Sequence, residues 1–334
     1  MDVDRTLVVI LNWNGWQDTI ACCESLEKCE LADTDILVFD NGSNDDSNDH
    51  IKHYLSKNVN EEVEVLHAGS ECFKLITFKR NHLVFKLFFH PVNLGFAKGC
   101  NLSAKYAQAA GYSFLLFLNN DTVVDPRAIY FLTETIVSQK ANVIIPQIRY
   151  FSVPDIVWNC GGEINYWGKI KYYYAGKLAG SIPARQVFPV GFATGCCLLT
   201  KVGFFSQMNG FTEKFFFGEE DVEFSLRLKK YNHSMFCDTR AIVYHKVGSS
   251  IKGSAETRAR KAYLHLLNRL INMKSFMPRG LWEAWAFVVC LRYYFNLKYD
   301  FSRTCQDAIK LFVEAIKLDR VDMKKFREVL ENGI

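Results

Sequence analysis

Three acids stand in a row at Glu219, Glu220 and Asp221, directly behind Phe215, Phe216, Phe217 and Gly218. A carboxylate crowded by like charges and an apolar wall holds its proton more tightly than one in water, which suits a general base. The same acids also fit plain capping of a helix. They fill a first turn with Glu223, the bases Arg227, Lys229 and Lys230 fill the last, and Glu223 meets Arg227 at i,i+4. Either way a helix is predicted to begin near Glu219, with Gly218 turning the chain into it. Downstream, His245 closes the short apolar run AIVYH beside a loop, where an imidazole can ligate a metal or contact a phosphate, although a lone histidine is more often structural.

Such groups need a frame that brings distant segments together. The runs TLVVILNW, DILVFDNGSNDDS and YSFLLFLNNDTVV are continuously apolar and then abruptly polar, as fully buried parallel strands are, so a wound α/β sheet is predicted. In that architecture ligands gather at the carboxyl ends of the strands. Each run delivers a polar cluster there: Asn12 to Gly15, Asp40 to Ser43, and Asn119 to Asp121. Asn, Asp and Gly are turn formers, but three such clusters on three strand ends point to a site. The stretch GFATGCCLLTK, residues 191–201, pairs a glycine-rich turn with a buried strand and would let a ligand approach the backbone. Residues 61–90 read as an inserted hairpin with no assigned chemistry. Residues 149–189 are rich in Tyr, Trp and Gly, suited to loops covering a cleft, with aromatic faces for sugar rings or simply for packing.

The bulk properties exclude several classes. At 334 residues, with 40 basic and 36 acidic side chains, the chain is a globular protein of one large or two modest domains. Its net charge of +4 is scattered, without the basic stripe that nucleic-acid binding uses. The 11 cysteines lie mostly in apolar runs without paired CxxC spacing and read as reduced thiols of a cytoplasmic protein. The apolar runs 7–11 and 284–291 are too short for a signal peptide core or a membrane span. No GxGxxG follows the first strand, against a dinucleotide oxidoreductase, and NWNGWQD lacks the glycine-rich basic loop of a nucleotidyltransferase.

The motifs VVILNWNG, VFDNGSNDDS, NLGFAKGCN, LNNDTVVDP, GFATGCCLLTK, GFTEKFFFGEEDVEFSLRLKK and YHKVGSS occur in an order that resembles inverting nucleotide-sugar glycosyltransferases of family 2, with the GT-A fold. The resemblance covers roughly residues 7–250 and is nearest the rhamnosyltransferase and galactofuranosyltransferase-like branch that builds bacterial surface polysaccharides. It implies a GT-A domain over 1–254, with a nucleotide-binding half to about 125 and an acceptor-binding half beyond, and a helical module over 255–334. It implies that Leu11, Trp13 and Asp40 cradle the nucleotide, Asp40 accepting from a pyrimidine N3, with Asn41, Gly95, Asn119 and Asn120 also on the donor side. Asn119, Asn120 and Asp121 match the family's DxD motif, with an amide in place of its first acid. Asp121 and His245 would then hold Mg2+ or Mn2+ on the diphosphate of a UDP- or dTDP-sugar. Asp221 would be the catalytic base with Glu220 tuning it, and Gly195, Phe217 and Glu219 would face the acceptor, a glycan or a polyprenyl-linked glycan. A non-catalytic sugar-binding subunit of the same fold is the rival.

From Ala255 onward, long helical patterns carry aromatic and basic residues. Trp282, Trp285, Phe287, Tyr293, Tyr294 and Phe295 among Arg and Lys suit a helix lying on the anionic inner face of the cell membrane. They equally suit packing onto the catalytic domain or a second subunit, which leaves a homo-oligomer open.

Overall fold

In the computed structural model the described residues are 4–57, 59, 61–80, 82–183, 186–247, 255–296 and 305–332. The last three residues of the YHKVGSS motif lie outside them, as does the side chain of Arg258. The first half runs β1 (Thr6–Asn12), α1 (Trp16–Leu26), β2 (Thr34–Asn41), α2 (Ser47–Ser56), β3 (Glu61–Ala68), β4 (Glu71–Arg80), β5 (Leu83–His90), α3 (Phe96–Ala109), β6 (Phe114–Asn119), β7 (Thr122–Val124), α4 (Ala128–Ser138) and β8 (Val143–Tyr150). The second runs β9 (Val157–Asn159), β10 (Gly162–Ile164), β11 (Ile170–Tyr172), β12 (Val187–Val190), β13 (Cys197–Lys201), α5 (Val202–Gln207), α6 (Glu220–Lys230) and β14 (Met235–His245). Four helices follow: α7 (Ala255–Met273), α8 (Arg279–Asn296), α9 (Cys305–Lys317) and α10 (Met323–Asn332).

The main sheet has the order β12-β14-β8-β13-β6-β1-β2-β5-β4-β3. β6, β1, β2 and β5 are mutually parallel, β13 is antiparallel to β6 and β8, and β14 is parallel to β8, so the sheet is mixed. Alternation along β1 explains why its apolar run is continuous. Leu7 and Val9 enter one core, with Ala97 and Ala104 of α3 and Phe224 of α6, while Val8 and Ile10 enter the other, with Cys22 and Leu26 of α1 and Leu132 of α4. Helices thus cover both faces, and the polar residues after each parallel strand are left at the sheet's carboxyl edge.

One expectation is corrected. Residues 61–90 are not merely an inserted hairpin, because β5 pairs with β2 in parallel register, Asp35 opposite Val84 through Asn41 opposite His90. β4 and β3 then extend the sheet antiparallel from β5. The aromatics of the tail also divide. Trp282, Trp285 and Tyr293 are buried in a third cluster with Leu267, Leu270 and Leu311, whereas Phe287, Tyr294 and Phe295 are exposed. Phe215, from the stretch before the acids, belongs to that third cluster.

Candidate active site

Register brings the first two strand ends together, since Asn12 lies opposite Asp40. Asn12 Nδ2 donates to Asp40 Oδ1 at 2.7 Å, and Ser43 donates twice, Oγ to Oδ1 at 2.6 Å and backbone N–H to Oδ2 at 3.0 Å. Asp40 is fully buried beneath these donors, so its carboxylate is closed off from solvent. Asn12 Oδ1 accepts from Thr19 Oγ1 at 2.8 Å, and Asn120 Nδ2 donates to that hydroxyl at 3.1 Å. One buried network therefore links the ends of β1, β2 and β6. Trp13 projects beyond it, 56% exposed, where a ring can meet a planar base.

Asn41 acts on the loop before α3. Its Oδ1 accepts the Leu94 N–H at 2.9 Å and its Nδ2 donates to the Gly95 carbonyl at 3.1 Å. Gly95 has φ +82, and a Cβ there would lie 2.3 Å from the Phe216 carbonyl oxygen, so only glycine fits. The Phe96 N–H donates to that same oxygen at 3.3 Å, which seats the start of α3 against the stretch before the acids. Leu11 packs on Gly99 one turn further along α3.

Asp121 follows β6, and β7 then pairs antiparallel with β14, Thr122 opposite His245. His245 Nε2 lies 3.1 Å from Asp121 Oδ1. Trp158 stands 4.7 Å from the His245 ring, and the backbone N–H of Lys246 donates to the Asp121 carbonyl at 2.9 Å while its Nζ reaches Asp18 Oδ1 at 2.7 Å. A carboxylate oxygen from the β6–β7 turn and an imidazole nitrogen from the end of β14 form a donor pair whose chemistry fits a divalent cation. Among the described residues no group of three protein ligands accompanies them.

The acids open a helix as expected. Gly218 has φ +86, Glu219 has φ +73, and α6 begins at Glu220, with Arg227 clasping Glu223 at 2.7 Å. The three side chains diverge. Asp221 Oδ2 accepts the Gly195 N–H at 3.0 Å. Glu220 is buried, and its Oε2 has no hydrogen-bond partner. Burial, then the charge of Asp221, pushes the Glu220 carboxyl far above the ordinary carboxylate range. Burial also raises Asp221, opposed by the Gly195 N–H. Glu219 departs from its expected place on the acceptor side, because its side chain is wholly buried against Arg269 of α7 at 2.6 Å. Nor does the aromatic stretch form one wall: Phe215 is buried, and Phe217 is 57% exposed.

The turn before β13 ties the two groups together. Gly195 holds Asp221, and the next carbonyl, that of Cys196, accepts the Asn119 N–H at 2.9 Å, two residues from Asp121. Burial raises the Cys196 thiol, with smaller contributions from the Cys197, Asp121, Cys22 and Asp221 charges. Tyr172 of β11 stacks on Trp158 with centroids 6.5 Å apart, and Trp158 in turn meets the His245 ring. Sequence reasoning placed Asn12 and Ser43 in strand-end clusters without assigning them a role of their own, gave Arg269 no part in the site, and did not single out Thr19, Trp158 or Tyr172.

Residues 7–202 match Glycosyl transferase family 2, and the chain belongs to that family. Its architecture is the GT-A fold with a helical C-terminal region. A stretch of 85 residues is 33% identical to N-acetylglucosaminyl-diphospho-decaprenol L-rhamnosyltransferase of Mycobacterium tuberculosis, strains CDC 1551 / Oshkosh and ATCC 25618 / H37Rv, covering 24% of this chain and 28% of those relatives. Among solved structures the chain is similar to GalNAc-T7 with UDP, GalNAc and Mn2+, with a TM-score of 0.60 at 15% identity, covering 98% of this chain and 56% of that one. It is also similar to mannosyltransferase PcManGT from Pyrobaculum calidifontis in complex with GDP-Man and Mn2+, with a TM-score of 0.56 at 9% identity, covering 98% and 84% of the two chains. For S. aureus TarS 1-349 the TM-score is 0.51 at 13% identity, covering 98% and 86%.

Proposed function

We propose that this glycosyltransferase moves a sugar, with inversion, from a UDP- or dTDP-sugar to a hydroxyl of a growing surface glycan or its polyprenyl-linked precursor. Rhamnose and galactofuranose are the donor sugars considered first, the former because the 33% identical relatives are named as rhamnosyltransferases. The observation carrying the proposal is the adjacency at Gly195 and Cys196, whose neighbouring backbone groups bind Asp221 and the strand end that leads to Asp121.

Residues 1–254 would form the transferase domain, with the nucleotide in the half before about 125, between Trp13 and the network of Asn12, Asp40 and Ser43. The buried Asp40 would act by fixing the strand ends, and would meet a base directly only if Ser43 turned aside. Asp121 and His245 would hold Mg2+ or, given the imidazole, Mn2+. Such an ion, when bound, neutralises charge gathering on the departing nucleoside diphosphate. Asp221 would take the proton of the acceptor hydroxyl as its oxygen bonds to the anomeric carbon, while the bond from that carbon to the diphosphate oxygen breaks. Glu220, buried beside it and with its own proton affinity raised by the Asp221 charge, would tune or orient it. Tyr172 and Trp158 offer faces for a sugar ring.

Access to a polyprenyl-linked acceptor would come through peripheral docking on the anionic inner face of the membrane. Residues 255–334 carry 15 basic and 9 acidic side chains. Phe287, Leu291 and Phe295 of α8 and Ile309, Val313 and Ile316 of α9 are exposed. Among the described residues no helix is long and apolar enough to cross a membrane.

The deciding experiment is a screen of UDP- and dTDP-sugars with Mg2+ or Mn2+, scored by nucleoside diphosphate release. Release from one donor class, increased by a lipid-linked acceptor, is expected. Tight UDP or dTDP binding with neither hydrolysis nor transfer would support a non-catalytic binding subunit instead.

A further inference from the structure

Most of the polar face of α7 is turned to the protein, with Asn268 and Asn272 buried and His265 exposed at its edge. His265, Asn268, Arg269 and Asn272 recur at i, i+3, i+4 and i+7, and this face presses on residues 217–219. Asn268 Nδ2 donates to the Phe217 carbonyl at 2.9 Å, and Arg269 Nε and Asn272 Nδ2 donate to Glu219 Oε2 at 2.6 and 3.3 Å. His265 Nδ1 lies 3.6 Å from Glu219 Oε1. The guanidinium also donates to the Gly168 carbonyl, in the turn before β11. From the other side, the Phe216 N–H donates to the Val321 carbonyl and the Val321 N–H to the Lys214 carbonyl, each at 2.8 Å.

Attaching these helices to the sheet does not require an ion pair, since Phe215 already sits in the apolar cluster of Tyr263, Leu267 and Leu270. A buried pair is costly to desolvate, and apolar residues of similar size often serve stability as well. What this pair adds is location. It grips a left-handed residue, which is a strained conformation for any side chain but glycine, two positions before Asp221.

We propose that Arg269 and Glu219 are positioning residues that fix the entry to α6 and so hold the Asp221 carboxylate toward the cleft, making the C-terminal helices part of the transfer site. This rests on the transferase reading with Asp221 as base. The groups facing Asp221 are Glu219 and Glu220 from its own segment, Arg269 from α7, Tyr172 from β11 and the Gly195 N–H.

The test uses the full chain with Arg269→Gln, Glu219→Gln, both together, and Arg269→Lys. A single change to Gln leaves one buried charge alone, whereas the double change leaves two neutral amides and is the variant that folds most safely. In the double variant, amide hydrogen exchange across 214–222 is expected to quicken about tenfold or more while β1 and β6 keep their protection. kcat for nucleoside diphosphate release falls about 100-fold with donor KM nearly unchanged, and Arg269→Lys recovers part of it. The acid limb of kcat moves to higher pH in Arg269→Gln and to lower pH in Glu219→Gln, because the two charges act on Asp221 with opposite sign. A folded double variant with normal exchange in 214–222 and normal kcat overturns the proposal, as does loss of protection spread evenly over the sheet. If the unaltered chain releases nucleoside diphosphate from no donor, the transferase reading fails, while the exchange result still decides whether the clamp exists.

Discussion

The backbone N–H of Gly195 donates to Asp221 Oδ2 at 3.0 Å, which leaves Oδ1 as the oxygen without that donor. Asn at this position keeps a carbonyl oxygen for the bond but has no oxygen able to take a proton. Asp221→Asn is therefore expected to retain UDP or dTDP binding by calorimetry while transfer falls about 10²–10⁴-fold, the range supplied by a positioned base. Turnover at the unaltered rate would remove Asp221 from that role.

Two glycines near this contact make opposite predictions. A Cβ on Gly195 would meet Asp221 Cβ at 3.5 Å and Phe96 Cε1 at 3.7 Å, ordinary contacts. Gly195→Ala should fold normally, with a melting temperature close to that of the unaltered chain. A Cβ on Gly95 would strike the Phe216 carbonyl, and the residue sits at φ +82. Gly95→Ala should cost about 1–3 kcal/mol or more in denaturant unfolding, from strain together with the clash. Equal stability of the two variants would contradict the seating of α3 on residue 216.

Much of this arrangement was legible because it is local. The start of α6 shows in the order of acids and bases, and the strand ends show where apolar runs turn polar. What escaped depends on pairing between distant segments. The run HLVFKLFF reads as a hairpin arm, and nothing local reveals that β2 is its parallel neighbour or that Lys86 is buried against Glu64. Asn12 looks like a turn residue until the register sets it opposite Asp40. The polar row on α7 resembles a solvated face, and only the tertiary fold shows that Asn268 and Asn272 are buried against the acid loop. Crowding of three acids was visible, but their separate partners were not.

The raised affinities of Glu220 and Asp221 link pH to stability with a definite sign. Between the ordinary carboxylate range of the unfolded chain and the raised folded values, the native state holds protons that the unfolded state has released. Stability therefore falls as pH rises through that window. Glu220→Gln removes the larger contribution, so its melting temperature should match the unaltered chain near pH 4 and exceed it by roughly 2–5 °C at pH 8. Activity runs the other way, because a base must be ionised. Transfer should be lost as pH falls through the raised value of Asp221, giving an acid limb above the ordinary carboxylate range. A stability gain that shrinks with rising pH would show that Glu220 is not held protonated.

Asp121, in the turn after β6, and His245, at the end of β14, approach within 3.1 Å, so neither alone makes a cation site. Calorimetry of UDP or dTDP binding should show a dependence on Mn2+ that EDTA abolishes. His245→Ala and Asp121→Ala should each weaken the Mn2+-dependent part about 10–100-fold, the latter at least as strongly because it removes the carboxylate of the pair. Nucleotide affinity indifferent to Mn2+ and to both substitutions would rule out a diphosphate-bridging cation at this pair.

The Phe287 ring of α8 stands 6.0 Å from the Phe312 ring of α9, which brings the two helices' exposed apolar residues near one another on the basic part of the chain. Apolar burial with attraction of cations to anionic headgroups predicts binding that needs both. Flotation with phosphatidylglycerol-containing vesicles should carry the unaltered chain and fall several-fold with neutral vesicles. Phe287→Glu with Val313→Glu should lose flotation and keep nucleoside diphosphate release from a soluble donor, since both side chains are exposed on the C-terminal helices. Retained flotation of that double variant would assign the surface to a second subunit, which sedimentation of the two proteins would then distinguish by mass.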